Sequence, residues 1–173
     1  MKIGLAVLLQ VAVIITMIIV KLLVLADGRD ILIRIQPVDP RDLLRGDYVT
    51  YQHDFTNIPG YYFDNDEVFR VGELAYVTLQ ESSGFAHPSR LTHKKPSEGL
   101  FIQGRVLSDT ARVSGARPDY RLSYGIEQYY IPEGKGAMFN TWTRDRNAFA
   151  KVAVDSDGKA VLKQLYIDDK PWP

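Results

Sequence analysis

A long apolar run opens the chain. Between Ile3 and Val20 the only strongly polar side chain is that of Gln10, and apolar residues continue beyond Lys21. A helix rises about 1.5 Å per residue, so this run is about long enough to cross the roughly 30 Å hydrocarbon core of a bilayer. The pattern predicts a single transmembrane signal-anchor helix over residues 1–26 and a separate domain over residues 27–173.

Two other interpretations of the N-terminal segment are a cleaved signal peptide and a buried helix of a soluble core. The apolar region of a signal peptide is about 7–15 residues long, which is shorter than this run. Val24 and Ala26 would nevertheless suit a cleavage site. We favour an uncleaved anchor.

The charges that flank the apolar run do not settle its orientation. Lys2 lies before the run, whereas Lys21, Arg29 and Arg34 lie after it, and the positive-inside rule leans towards a cytoplasmic domain. Long domains are exported largely regardless of charge, however, and a signal-anchor followed by a folded domain is a simple arrangement for export. We expect the domain on the extracytoplasmic, periplasmic side.

Alternating apolar positions dominate the rest of the chain. In the segment ILIRIQP, Ile31, Ile33 and Ile35 recur at every second position, which is the period of a strand with one buried face. Other short segments rich in β-branched or aromatic residues are also predicted strands. They begin at Tyr48, Glu73, Leu100, Tyr120, Lys151 and Ala160. Between the last two, the Asp-Gly of DSDGK predicts a hairpin turn.

The remaining segments give weaker patterns. A short helix is predicted within residues 136–149, where large side chains recur with helical spacing. A Pro/Ser-rich stretch that contains His87 and His93 is predicted to be a loop. The domain is therefore expected to be mainly β, as an antiparallel β sandwich or partly open barrel with one or two short helices.

Composition narrows the classes of function. The 21 Lys and Arg residues balance the 21 Asp and Glu residues along the chain, so no basic face indicates a nucleic-acid partner. The chain contains no cysteine, which excludes disulfides, thiolate nucleophiles and sulfur-ligated metals. A length of 173 residues suits one domain plus an anchor.

Acidic residues and a histidine crowd the segment PVDPRDLLRGDYVTYQHDF. Asp39, Asp42, Asp47, His53 and Asp54 could supply metal ligands, but their spacing matches neither an EF-hand loop nor a His-Glu-x-x-His helix. On a strand, His53 and Asp54 also point to opposite faces. Asp39 and Asp42 are better explained as caps of a short helical turn. We predict no metal site and no cofactor.

The Gly-Asp-Tyr triplet in the same segment has a conformational explanation and a functional one. Gly46 can adopt positive φ where a turn ends, Asp47 can accept a bond from a nearby amide, and Tyr48 begins the next strand. Arg45 is close enough in sequence to pair with Asp42 or Asp47. The same turn could instead be presented to a partner. The candidate binding residues of this segment are Asp39, Asp42, Arg45, Gly46, Asp47 and Tyr48.

A second polar segment, YGIEQYYIPEG, holds Glu127 and Glu133. The two could form a carboxylate pair with each other, or either could pair with Asp47. Glycoside hydrolysis requires such a pair at a separation of roughly 5–9.5 Å. Tyr130 belongs to an aromatic cluster that is either core or a binding shelf. Glu127, Tyr130 and Glu133 are therefore further candidate binding residues.

A serine mechanism is excluded at the proline-rich turn. The anchor, the apolar strand and the Gly-Asp pair are loosely similar to the start of type I signal peptidases, but no serine occurs before Ser82. That chemistry needs a serine nucleophile activated by a nearby base. We predict no catalytic residues.

Taken together, these segments resemble the GDYXXLXY family of bacterial proteins. Two long motifs carry the likeness: P-x-D-P-R-D-x-x-R-G-D-Y at residues 37–48 and Y-G-I-E-x-Y-Y-x-P-E-G at residues 124–134. Shorter segments extend it over nearly the whole chain. Two positions depart from the family's name, because Tyr51 stands where it has Leu and His53 where it has Tyr. Tyr51 keeps an apolar body, whereas His53 has no phenol.

The resemblance implies a membrane-anchored, largely extracytoplasmic β domain with no established activity, in a family often encoded beside polytopic membrane proteins. It adds no catalytic residues. We expect a non-catalytic accessory or binding domain of the bacterial envelope that acts with a polytopic membrane partner. The alternative is an envelope hydrolase or carbohydrate-active enzyme that uses a carboxylate pair.

Overall fold

The computed structural model describes residues 2–38, 48–60, 67–110, 118–130 and 147–172. These ranges contain one helix and eleven strands. The helix α1 spans Lys2–Asp27. The strands are β1 (Arg29–Val38), β2 (Tyr48–His53), β3 (Asn57–Ile58), β4 (Leu74–Ser82), β5 (Phe85–Thr92), β6 (Phe101–Thr110), β7 (Asp119–Ser123), β8 (Gln128–Tyr130), β9 (Ala148–Val154), β10 (Ala160–Ile167) and β11 (Lys170–Trp172).

The strands form two sheets in which neighbouring strands are antiparallel. The six-stranded sheet has the order β11-β10-β9-β1-β2-β8, and the five-stranded sheet has the order β3-β7-β6-β4-β5. They curve into one half-barrel and one nearly closed barrel. The prediction of a mainly β, antiparallel domain is confirmed.

The core lies between the inward faces of the two sheets. On β1, Ile31, Ile33 and Ile35 are at most 5% exposed, as their period-2 spacing predicted. They belong to the same buried cluster as Val77 of β4 and Ile102 of β6, which are both fully buried. Each fully buried side chain of this size stabilises the fold by roughly 1.5–3 kcal/mol.

The predicted hairpin near the C-terminus is also confirmed. β9 and β10 are paired, and the turn between them is held by Asp155, whose Oδ1 accepts from the amides of Asp157 (2.9 Å) and Lys159 (2.8 Å). Gly158 has a φ of +81°, a conformation that favours glycine. The Asp-Gly sequence predicted the turn correctly because the Asp155 carboxylate and the positive φ of Gly158 form the turn locally.

The loop predicted around His87 and His93 is wrong for most of its length. β5 covers Phe85–Thr92 and forms one edge of the five-stranded sheet. Pro88 is tolerated because an edge strand can carry a proline, and the pairing with β4 shifts at Ser89, which leaves Ser89 as a bulge. A proline and a bulge hid the strand from its sequence pattern.

Two predictions concern residues that mostly lie outside the described ranges. The helical turn capped by Asp39 and Asp42 falls entirely outside them. Most of the short helix predicted within residues 136–149 does so too, and its last positions, Ala148 and Phe149, begin β9 instead.

The helix α1 is not part of the domain core. Ile3–Asp27 has a mean hydropathy of 2.9 in its most apolar window, and that window is 0% buried. The interpretation as a buried helix of a soluble core is therefore wrong. A helix of this length and composition serves as a membrane anchor or a signal sequence.

The end of α1 is joined to the domain without a linker. Val24 is only 5% exposed, and its carbonyl oxygen accepts from the amide of Gly28 at 3.0 Å. A Cβ on Gly28 would lie 2.3 Å from that oxygen and 3.2 Å from both Ala153 Cβ and Val154 N of β9. Only glycine fits where the helix passes into β1 against the sheet.

Candidate functional site

The structure brings the two predicted polar segments together as neighbouring strands. β2, which begins at Tyr48, pairs with β8, and Tyr48 is directly opposite Tyr130. Glu127 immediately precedes β8. The other predicted site residues lie outside the described part of the chain; they are Asp39, Asp42, Arg45, Gly46, Asp47 and Glu133.

A two-stranded ribbon links the two sheets. In the six-stranded sheet Thr50 is opposite Gln128, and in the five-stranded sheet Asn57 is opposite Arg121. Seven residues separate the two pairs on each segment, in opposite directions along the chain. One antiparallel register therefore runs through both sheets. We call residues 48–58 and 120–130 the ribbon.

The backbone ladder of the ribbon opens in its middle, where two tyrosines bridge it. At the ends of the opening, Tyr51 N donates to Glu127 O at 3.2 Å and Leu122 N donates to Thr56 O at 2.8 Å. Between them, the Tyr51 hydroxyl donates to Ile126 O, and the Tyr124 hydroxyl donates to Phe55 O at 2.8 Å. Side chains thus satisfy carbonyl groups that a buried backbone cannot leave unpaired.

The carboxylate of Glu127 holds the second segment of the ribbon in its bend. Its Oε1 accepts from Tyr124 N, and its Oε2 accepts from Gly125 N at 3.0 Å. Gly125 has a φ of +76°, which favours glycine. Both carboxylate oxygens therefore have a structural role in the fold.

Burial keeps both bridging phenols in the form that donates hydrogen bonds. It raises the pKa of Tyr51 and of Tyr124 above the ordinary value, and the negative charge of Glu127 raises both further. Neither hydroxyl ionises near neutral pH. The two bridges therefore persist throughout the physiological range.

His53 lies under the opening of the ribbon. Its ring packs on Phe55 and Tyr124 with centroid distances of 4.3 and 5.2 Å, and Nδ1 is 3.1 Å from Thr56 Oγ1. Within the described ranges, Nε2 is buried and has no hydrogen-bond partner. Burial lowers the pKa of His53 to about 3, so the ring is neutral.

His53 and Asp54 face opposite sides, as predicted. His53 is 5% exposed, whereas Asp54 is exposed and lies 3.3 Å from Nδ1 of His87. The two side chains cannot share one ion. In the part of the chain that the structure describes, no three His, Asp or Glu side chains gather as metal ligands would.

The outward side of the ribbon forms a cleft of about 270 Å³ between the two sheets. Most of its lining side chains are uncharged hydrogen-bonding groups, joined by one guanidinium and one carboxylate. Among the described residues Arg121 has no ion pair, whereas Glu127 is engaged with the backbone. The lining residues are Thr50, Tyr51, Gln52, Thr56, Leu107, Arg121, Leu122, Ser123, Gly125, Glu127 and Gln128.

This chemistry suits binding of a polar segment. The cleft is slightly smaller than typical ligand sites, which measure about 300–1,000 Å³. It offers donors and acceptors from both segments of the ribbon. A guanidinium binds carboxylates well because its donors form a planar fork. The cleft can therefore hold a short polar or acidic group.

Of the predicted site residues that the structure describes, Glu127 lines the cleft, whereas Gln52, Arg121 and Ser123 line it and were not predicted. The missed residues belong to strands whose existence was predicted, at outward positions with no distinctive motif. They could have been identified only if the pairing of residues 48–58 with residues 120–130 had been known. Pairing between segments so far apart in the chain gives no local sequence pattern.

Comparison with known proteins identifies one family. The family model described as GDYXXLXY protein matches residues 10–165 of the 173-residue chain. No match is found among curated proteins, and none among solved structures. At the two positions that depart from the family's name, Tyr51 and His53 are both buried, and Tyr51 contributes a hydroxyl bridge as well as an apolar body.

Proposed function

Because the chain belongs to the GDYXXLXY protein family, we propose that it is a membrane-tethered, non-catalytic binding domain of the bacterial envelope. In this proposal the ribbon cleft receives a polar segment of a polytopic membrane protein. The tether is α1, uncleaved, and the domain lies on the extracytoplasmic side.

One observation carries the proposal: the cleft lies between β2, which follows the first of the family's two long motifs, and the segment in which the second motif begins. The inward side chains of these segments, such as Tyr51 and Tyr124, are committed to folding the ribbon. Its outward side chains, such as Gln52 and Arg121, line the cleft. A binding role accounts for both sets of residues.

The enzyme alternative has weaker support. A carboxylate that acts as a general acid or base must exchange a proton with the substrate, but both oxygens of Glu127 accept from backbone amides. Its proposed partners, Asp47 and Glu133, lie outside the described residues. The engagement of Glu127 therefore favours binding over paired-carboxylate hydrolysis.

The direct junction between helix and domain supports the tether. Since Gly28 alone separates α1 from β1, the domain would lie at the membrane surface. A reporter fused after Pro173 would reveal the side of the membrane, and the mass of the mature chain would reveal whether α1 is retained. A reporter signal from the cytoplasm would overturn the proposed orientation. A mature mass lower by the mass of α1 would overturn the uncleaved tether.

Site-specific photocrosslinking tests the binding role. A photoreactive amino acid replaces Gln52 or Gln128 in the full chain in its native membranes, and Lys170 serves as the control. Lys170 is exposed on β11, at the opposite edge of the sheet from β8. We expect one membrane protein to be crosslinked from both cleft positions and not from Lys170. Equal labelling from all three positions, or none from the cleft, would contradict the proposal.

A further inference from the structure

The polar side chains of α1 are unequally satisfied. The Thr16 hydroxyl donates to Ala12 O of its own helix at 2.8 Å. Within the described ranges, Gln10 and Lys21 are exposed and make no hydrogen bond or ion pair. A span of this kind therefore carries two polar groups that need partners from outside the chain.

These two groups share one face of the helix. At about 100° per residue, Lys21 lies roughly 20° around the axis from Gln10, whereas Thr16 lies roughly 120° away. Gln10 is seven residues after Ile3, about 10 Å into the span. Lys21 is near the other end, where a long basic side chain can reach the membrane interface.

The same face of α1 points towards the side on which the domain lies. Val24 is buried where the last turn of the helix meets β9 and β10. It lies about 40° around the axis from Gln10. The domain therefore overhangs the bilayer on the side of the helix that carries Gln10.

A glutamine amide is costly to leave unpaired in hydrocarbon. It has two donors and a carbonyl acceptor, and water is absent at that depth. Polar side chains of membrane helices accordingly face other helices and form hydrogen bonds with them. A helix packed on this face would lie beneath the domain.

We propose that the face of α1 formed by Gln10, Met17 and Lys21 binds a transmembrane helix of the polytopic partner, which presents a polar side chain at the depth of Gln10. This rests on the proposed function, because it assigns the same partner a second contact within the membrane. A second copy of the chain fits less well. Each domain would overhang the other copy's helix, so the two domains would compete for the same space.

Photocrosslinking from two faces of α1 tests the inference. The photoreactive residue replaces Met17, which is about 20° from Gln10, or Ile19, which is about 180° from it. Both are exposed apolar positions in the span. Each photoreactive variant is made in three backgrounds: with Gln10 unchanged, with Gln10→Leu and with Gln10→Asn. All are assayed as the full chain in native membranes. A variant with the photoreactive residue at the cleft position Gln52 is assayed in parallel.

We expect the photoreactive residue at position Met17, but not at position Ile19, to crosslink the same membrane protein as the photoreactive residue at position Gln52. Gln10→Leu should lower the Met17 yield roughly threefold or more, whereas Gln10→Asn should retain most of it. Equal yields from Met17 and Ile19, no effect of Gln10→Leu, or a product of two copies of this chain would overturn the inference. If Gln52 still crosslinks its partner in those cases, the proposed function stands and only the membrane contact fails.

Discussion

The hydroxyl of Tyr124 donates to the carbonyl oxygen of Phe55 over 2.8 Å, across the point where the backbone ladder of the ribbon opens. Tyr51 forms a second bridge to Ile126 in the opposite direction. Removal of either hydroxyl leaves a buried carbonyl without its partner. The opening therefore depends on side chains rather than on ordinary strand pairing.

Tyr51→Phe and Tyr124→Phe should each lower the free energy of unfolding by about 1–3 kcal/mol, which is the usual penalty for an unsatisfied buried polar group. Thermal or urea unfolding of the full chain in detergent would measure this. Tyr166→Phe is the matched control, because the Tyr166 hydroxyl makes no hydrogen bond within the described residues. If all three substitutions had equal effects, the bridges would not be the cause.

Glu127→Gln should also destabilise the domain, by about 1–3 kcal/mol. The amide group of glutamine would place a donor against one of the two backbone amides that Glu127 now accepts from. Glu98→Gln, in an exposed loop, should change stability by less than about 0.5 kcal/mol. An unchanged unfolding midpoint for Glu127→Gln would contradict the structural role of the carboxylate.

His53 should make the domain sensitive to acid. Its pKa is about 3 in the folded state and about 6.5 in the unfolded chain. Between these values only the unfolded state binds the proton, so the free energy of unfolding falls as the pH falls, by up to about 1.4 kcal/mol per pH unit. Above about pH 6.5 this contribution is constant.

The pH dependence can be assigned to His53 by substitution. His53→Leu should flatten the stability profile between pH 6.5 and pH 3. Unfolding midpoints measured across this range give the answer. A profile that His53→Leu leaves equally steep would assign the acid sensitivity to other groups.

Gly28→Ala should disturb the junction between α1 and β1. Its Cβ would lie 2.3 Å from the carbonyl oxygen of Val24, so the last turn of the helix or the sheet must shift. We expect a loss of stability of at least about 1 kcal/mol. Gly4→Ala is the control, since nothing lies within 4 Å of that position. Equal stability of the two variants would show that the junction is loosely packed.

Much of the fold could be predicted from local patterns. The alternation of Ile31, Ile33 and Ile35 identified a half-buried strand, and the Asp-Gly of the last hairpin identified its turn, because both signals arise from neighbouring residues. β5 was missed because Pro88 and the bulge at Ser89 break the same alternation.

The candidate site was less accessible to sequence reasoning. The motif residues indicated two important segments, but not that residues 48–58 pair with residues 120–130 in one register. That pairing joins segments about 70 residues apart and is set by the packing of two sheets. Only the pairing shows that Tyr51 and Tyr124 hold the ribbon together and that Gln52 and Arg121 face its cleft.

The most direct test of the binding role uses the full chain with a photoreactive residue in place of Gln128. The crosslinking yield is compared between the chain that keeps Arg121 and the chain that carries Arg121→Gln. Arg121 is exposed and lines the cleft, so its replacement should leave the unfolding midpoint unchanged. Loss of a charged hydrogen bond to the partner should lower the yield about tenfold. An unchanged yield from a folded domain would contradict the account of the cleft as the binding site.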